Sequence, residues 1–181
     1  MHKVLMTLLF TSLLTACSSL PETLVSSKKP LVTEYETWVN SEPNAVQEVR
    51  LGGVIAKVSN LQHKTRLELV NLPIGKDGKP DINVEPQGRF IAYVDGFIDP
   101  LTFAEGRLVT VLGQPNGNET GKVGEFDYRF PVLQVTGYHL WQIREQIIVQ
   151  DQPMTRFPCR SLYCRNVHYG PSKGHVVQSV E

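Results

Sequence analysis

Thr65-Arg66-Leu67-Glu68-Leu69-Val70 alternates without a break: Leu67 and Leu69 fall on one face, Arg66 and Glu68 on the other. A period of two is the signature of a half-buried strand. The same signal recurs on both sides. Upstream, Val49, Leu51, Val54, Ile55 and Val58 surround Gly52-Gly53. A glycine pair inside a strand predicts a bulge or a sharp bend of the kind that closes small barrels. Ser59-Asn60 and Lys64 fit a hairpin loop joining these two strands. Downstream, Phe90-Ile91-Ala92-Tyr93-Val94 reads as a third strand and Leu108-Val109-Thr110-Val111-Leu112 as a fourth. Tyr128-Arg129-Phe130 begins a fifth, which Pro131 interrupts and which resumes through Val132 to Val135 towards Tyr138 and Trp141. Proline cannot donate to a ladder, so an edge or a bulge is expected at Pro131. Arg144 to Gln150 fits a sixth strand or a tail packed on the barrel.

The connections complete the pattern. Gln114 to Gly124 is rich in Gly and Asn and reads as a hairpin loop. Residues 71–88 carry Pro73, Gly75, Gly78, Pro80, Pro86 and Gly88, a long polar loop that fits either a solvated excursion or, at a length often tied to function, a working surface. Asp99-Pro100 supplies an N-cap and a first-turn proline for a short helix over Leu101 to Glu105, stopped by Gly106. The expected fold class is therefore mostly β: a small antiparallel OB-like barrel of five to six strands, spanning residues 46–150, with one short helix between the third and fourth. An open antiparallel sandwich is the alternative.

The N-terminus has a different grammar. His2 and Lys3 precede an apolar run from Val4 to Leu14, which ends in Leu14-Thr15-Ala16-Cys17. The run suits a signal peptide over residues 1–16 and is too short to span a bilayer, which takes ~20 apolar residues. Leu-x-Ala-Cys resembles the bacterial lipobox, in which the cysteine is acylated and the peptide cut before it. An ordinary secretory peptide cut after Ala16, leaving Cys17 a plain thiol, is the other reading. Ser18, in place of Asp, points to the outer membrane under the bacterial sorting rule. Residues 17–45 are expected to be a lipidated tether and a short helical lead-in, Ser18 to Pro30 being flexible. Tyr35 and Trp38, at i and i+3, suit core packing or a ligand cage. Residues 151–181 read as an irregular C-terminal tail.

Charge and chemistry bound what remains. Removing residues 1–16 leaves 165 residues with 17 basic and 18 acidic side chains, a balance that gives no electrostatic case for nucleic acid. Cys159 and Cys164 form an even pair once Cys17 is acylated, and in an oxidising compartment a disulfide is expected. With His168 and His175 they also make Cys-x4-Cys-x3-His-x6-His, of which only the first spacing suits structural zinc. His139 and His63 lack a neighbouring Ser or Cys that would suggest a nucleophile and its base. Asp95, Asp99 and Glu105 gather near the expected helix cap and fit capping, acid–base work or a cation site. Arg50, Arg66, Arg89, Arg107 and Arg129 recur near strand ends and fit either scattered solvated charge or a surface for anionic sugars and phosphates. No catalytic set, metal site or cofactor is assigned.

Several segments, in order, resemble the Slp family of carbon-starvation-inducible outer-membrane lipoproteins. They are the box at Cys17, Arg50-Leu51-Gly52-Gly53-Val54-Ile55, Leu67-Glu68-Leu69-Val70-Asn71-Leu72-Pro73, Gly88-Arg89-Phe90, Gly96-Phe97-Ile98-Asp99-Pro100, Val109-Thr110-Val111-Leu112-Gly113 and His139-Leu140-Trp141. Beyond residue 150 the tail carries a cysteine pair where family members often have Tyr, Trp and Pro. The resemblance implies a lipid-anchored outer-membrane protein of the stationary-phase and acid-stress setting, not an enzyme, with a structural or stress-related role. Outer-membrane lipid would be its partner through the acyl anchor, with an envelope protein or glycan besides. The alternative is a binding module for an envelope glycan, lipid or protein, working through the barrel face and the 71–88 loop.

Overall fold

A computed structural model describes residues 19–27, 30–41, 47–149 and 174–181. The chain divides after Trp141 into two units.

The first unit is mostly β. Strands β1 (Leu31–Val32), β2 (Glu48–Asn60), β3 (Lys64–Leu72), β4 (Arg89–Asp95), β5 (Leu108–Val123) and β6 (Phe126–Trp141) form one sheet, with helix α1 (Tyr35–Val39) between β1 and β2. The strand order β2-β3-β4-β6-β5 returns to β2, because β2 pairs with β5 along Val49–Val54 as well as with β3. Five strands thus make a closed ring, and β1 adds to β2 in parallel. The ring is antiparallel except at β4 and β6, which run parallel from Ile91↔Val132 to Tyr93↔Gln134.

The alternation in the sequence decides which side chains enter the ring. Leu67 and Leu69 of β3, Phe90, Ala92 and Val94 of β4, Val109 and Val111 of β5, and Leu133 and Val135 of β6 share one interior cluster. Phe90 is fully buried and meets Tyr35 and Trp38 of α1, its ring 5.8 Å from that of Trp38. The helix therefore plugs one end of the ring. Ile98 and Phe103 join the same cluster from the β4–β5 connection.

Tyr35 donates its hydroxyl to the Arg89 carbonyl oxygen at 2.9 Å. Burial first, and then the neighbouring Tyr128, push its pKa well above the ordinary phenol value. A raised folded pKa gives stability that is complete below the unfolded value of ~10 and is lost as pH rises beyond it. Chemical denaturation across pH 8–11 should therefore show a falling alkaline limb, and Tyr35→Phe should flatten it.

Three expectations change here. The helix over Leu101 to Glu105 is a single turn. Asp99 does cap it, accepting from the Leu101 N–H and Thr102 hydroxyl at 3.0 Å, and the Phe103 N–H reaches the Asp99 carbonyl. The core claims Ile98 and Phe103 on either side of the turn, and Gly106 follows at φ +85°. The α-helix among the described residues is α1. Second, Gln114 to Gly124 is strand for most of its length: β5 and β6 continue as a ribbon to a two-residue turn at Gly124-Glu125. Gly124 has φ +61°, which suits the first central position of a type II′ hairpin. The register shift between Pro115 and Asn118 lies opposite Pro131, so the expected bulge is present there. Third, Gly52 and Gly53 keep unbroken register on both sides, and the β2 irregularity falls between Ile55 and Lys57. The glycines serve close approach instead, since a Cβ on Gly53 would overlap the Val70 carbonyl.

The N-terminal stretch also departs from a flexible tether. Glu22–Leu24 forms a turn of 3-10 helix, and Leu24 is fully buried. Its carbonyl accepts from Arg50 Nη1 at 3.1 Å, and the Ser26 hydroxyl donates to the Glu48 carboxylate. Leu20 and Leu24, four residues apart, reach the backbone of Gly78.

The second unit holds an antiparallel pair of β7 (Ile143–Val149) and β8 (Gly174–Val180), in register from Ile143↔Val180 to Val149↔Gly174. Residues 174–180, expected as irregular tail, are therefore strand. Val176 and Val177 supply the β-branched residues such a strand favours.

Candidate functional site

The most highly organised polar region is the outward face of β3 and β4. Strand alternation sends Arg66 and Glu68 of β3 outward, together with Arg89, Ile91 and Tyr93 of β4. The β5–β6 ribbon lies over them. Ile91, Phe130 and Val132 form a second buried cluster, flanked by Tyr93, Val123 and Tyr128. Tyr128 and Phe130 have ring centroids 4.6 Å apart.

Around this cluster the charges are paired. Arg66 places Nε and Nη2 each 3.0 Å from Glu119 Oε1. Tyr93 donates its hydroxyl to Glu119 Oε2 at 2.6 Å. Arg89 Nη1 reaches Glu68 Oε1 at 2.7 Å. Lys64 Nζ sits 3.7 Å from the centre of the Tyr93 ring, and Arg66 lies 5.9 Å from that of Phe130. Burial, then Glu119, raises the pKa of Tyr93. The phenol stays protonated and goes on donating. In chemical terms this is a latch: one carboxylate on the ribbon accepts from two strands of the ring. Glu119→Gln keeps the shape and removes the charge. It should cost about 1 kcal/mol, the carboxylate being partly exposed, and should raise amide exchange in residues 118–130.

The five arginines, read as either scattered charge or an anion surface, do not converge on one site. Arg66 and Arg89 are held by Glu119 and Glu68. Arg50 serves the Leu24 carbonyl, and burial lowers its pKa. Arg107 donates to the Thr102 carbonyl at 2.9 Å, while Arg129 is exposed on the ribbon. The carboxylates part company too: Asp95 accepts from Gln134 Nε2, and Asp99 caps its turn. Among the described residues no three His, Cys, Asp or Glu side chains gather as a metal site. Cys17, Cys159, Cys164 and His168 lie outside the described residues.

His139 packs edge-on against Trp141 at 4.4 Å, and burial lowers its pKa. Trp141 donates Nε1–H to the Thr110 hydroxyl at 2.9 Å, and Thr110 donates to the Gly78 carbonyl at 2.6 Å. That chain of hydrogen bonds fastens the 71–88 loop to the ring. The loop is further closed by an Ile74↔Pro80 bridge and by the Gly75 N–H on the Lys79 carbonyl. Its first half, to Pro80, is built structure, and residues 83–87 are exposed. A cleft of about 70 Å³ lies between Trp38 and Val39 of α1 and the bulge at Pro115, Gly117 and Asn118. Small-molecule sites usually need ~300–1,000 Å³.

The Glu119 latch escaped the sequence because Asn116-Gly117-Asn118-Glu119 reads as turn. The available signal was alternation in Phe126-Asp127-Tyr128-Arg129-Phe130, an aromatic at every second position. It marks a face that needs cover.

The profile of the outer membrane lipoprotein Slp family matches residues 14–171. The chain is 38% identical over 147 residues to the uncharacterized lipoprotein YeaY of Escherichia coli K12, covering 80% of this chain and 75% of that one. It is 33% identical over 137 residues to the outer membrane protein Slp of the same organism, covering 75% and 72%. An uncharacterized Haemophilus influenzae protein is 35% identical over 141 residues, 76% of each chain. No solved structure matches. The chain belongs to the outer membrane lipoprotein Slp family, and its place is the outer membrane.

Proposed function

We propose that this protein is a lipid-anchored, non-enzymatic component of the outer membrane, held by acyl chains on Cys17 and acting structurally in the starved or stressed envelope. The ring order and its single parallel pairing suit an OB-type barrel, a fold whose second and third strands commonly form the ligand face. The observation that carries the reading is what covers that face here. The ribbon buries Phe130 and Val132 against Ile91, and Glu119 and Glu68 occupy the arginines an anionic ligand would need. In the 71–88 loop, the other surface considered for a binding module, the Gly78 carbonyl is tied to Thr110 and through it to Trp141.

Calorimetric titration of the unacylated chain with lipopolysaccharide and with peptidoglycan fragments tests the choice. Flat isotherms into the high micromolar range are expected. Saturable binding weakened by Arg66→Ala or Arg89→Ala would establish the binding module instead.

A further inference from the structure

The distance between the anchor and the folded chain is short. Ser19 is two residues beyond Cys17, which allows at most ~7 Å of backbone between them. The polar headgroup layer on each side of a bilayer is about 5–7 Å deep. The next residue, Leu20, is already seated. Its Cδ1 lies 2.8 Å from where a Gly78 Cβ would stand, and Leu24 Cδ1 lies 3.2 Å from the same point. Thr23 packs so tightly on Gly137 of β6 that a Cβ there would overlap the Thr23 carbonyl. An acylated Cys17 therefore stays within ~7 Å of backbone of Ser19, at the edge of this docked segment.

We propose that the lipid headgroup surface is the partner of this side of the ring. The 3-10 turn and the loop from Gly75 to Pro80 rest on the headgroups, with exposed Lys76 among the phosphates. The proposal rests on acylation of Cys17. The other end of β3 then points away from the membrane. There Gly96 binds the His63 carbonyl, and Phe97 and Leu101 are 75% and 87% exposed. The nine residues of β3 put the two ends ~25 Å apart. The membrane thus meets the loop side, and the exposed apolar residues remain in water for contacts with other envelope components.

Lysine footprinting of the native acylated chain on phosphatidylethanolamine–phosphatidylglycerol vesicles tests this orientation. An amine-reactive probe and mass spectrometry would compare it with the unacylated chain in solution. Lys76 should react about fivefold more slowly on vesicles, matching ~1 kcal/mol of attraction per surface lysine, while Lys57 and Lys64 keep their solution rates. An acylated chain whose Lys76 reacts as in solution, or whose Lys57 and Lys64 are the protected pair, overturns the orientation alone. A native chain lacking lipid mass at Cys17 overturns the anchor, and the orientation with it.

Discussion

Phe90→Ala is expected to cost about 3–5 kcal/mol, enough to leave a domain of this size barely folded. Phe90 has no solvent exposure and lies where three parts of the chain meet. It belongs to β4, it touches Tyr35 and Trp38 of α1, and it shares the interior with Leu69 opposite it on β3. Truncation leaves a cavity bounded by a closed ring, which cannot collapse as an open sheet could. The plug should loosen as well, because Trp38 loses the ring it packs against edge-on. Urea denaturation of the two proteins checks the size of the effect. A cost below about 1 kcal/mol would mean that α1 does not plug the ring.

Gly137→Ala is expected to act at a different place, costing about 2–3 kcal/mol by overpacking and undocking the N-terminal segment. The new Cβ would overlap the Thr23 carbonyl, so either β6 or the segment must move. The segment is the weaker partner. It is held mainly by Leu24, by the Arg50 bond to the Leu24 carbonyl, and by Ser26 on Glu48. Limited proteolysis should cut residues 19–27 of the variant much faster than those of the parent, while the ring survives. Equal cleavage would show that the segment is not docked through Gly137.

The ring was readable from the sequence because its inner face follows alternation, as Leu67 and Leu69 or Phe90 and Ala92 show. Its cover was not. Leu20 and Leu24 sit in a stretch rich in Ser, Pro and Lys, and only the tertiary seat at Gly78 and Gly137 explains why they order it. The ribbon was hidden for a related reason. Gly117, Gly121 and Gly124 are local signals for a loop, yet Phe130 buried on Ile91 outweighs them. Asp99 illustrates the converse: the cap forms as its chemistry demands, and the helix it should start is denied by the pull of Phe103 into the core.

The anchor is the central claim, and intact mass spectrometry of the protein extracted from outer membranes tests it most directly. The expected species begins at Cys17 and carries diacylglyceryl and N-acyl mass, and is absent from the membrane fraction in Cys17→Ala. A membrane-held chain with a free thiol at residue 17 would contradict it, as would a chain that remains in the outer membrane when Cys17 is replaced.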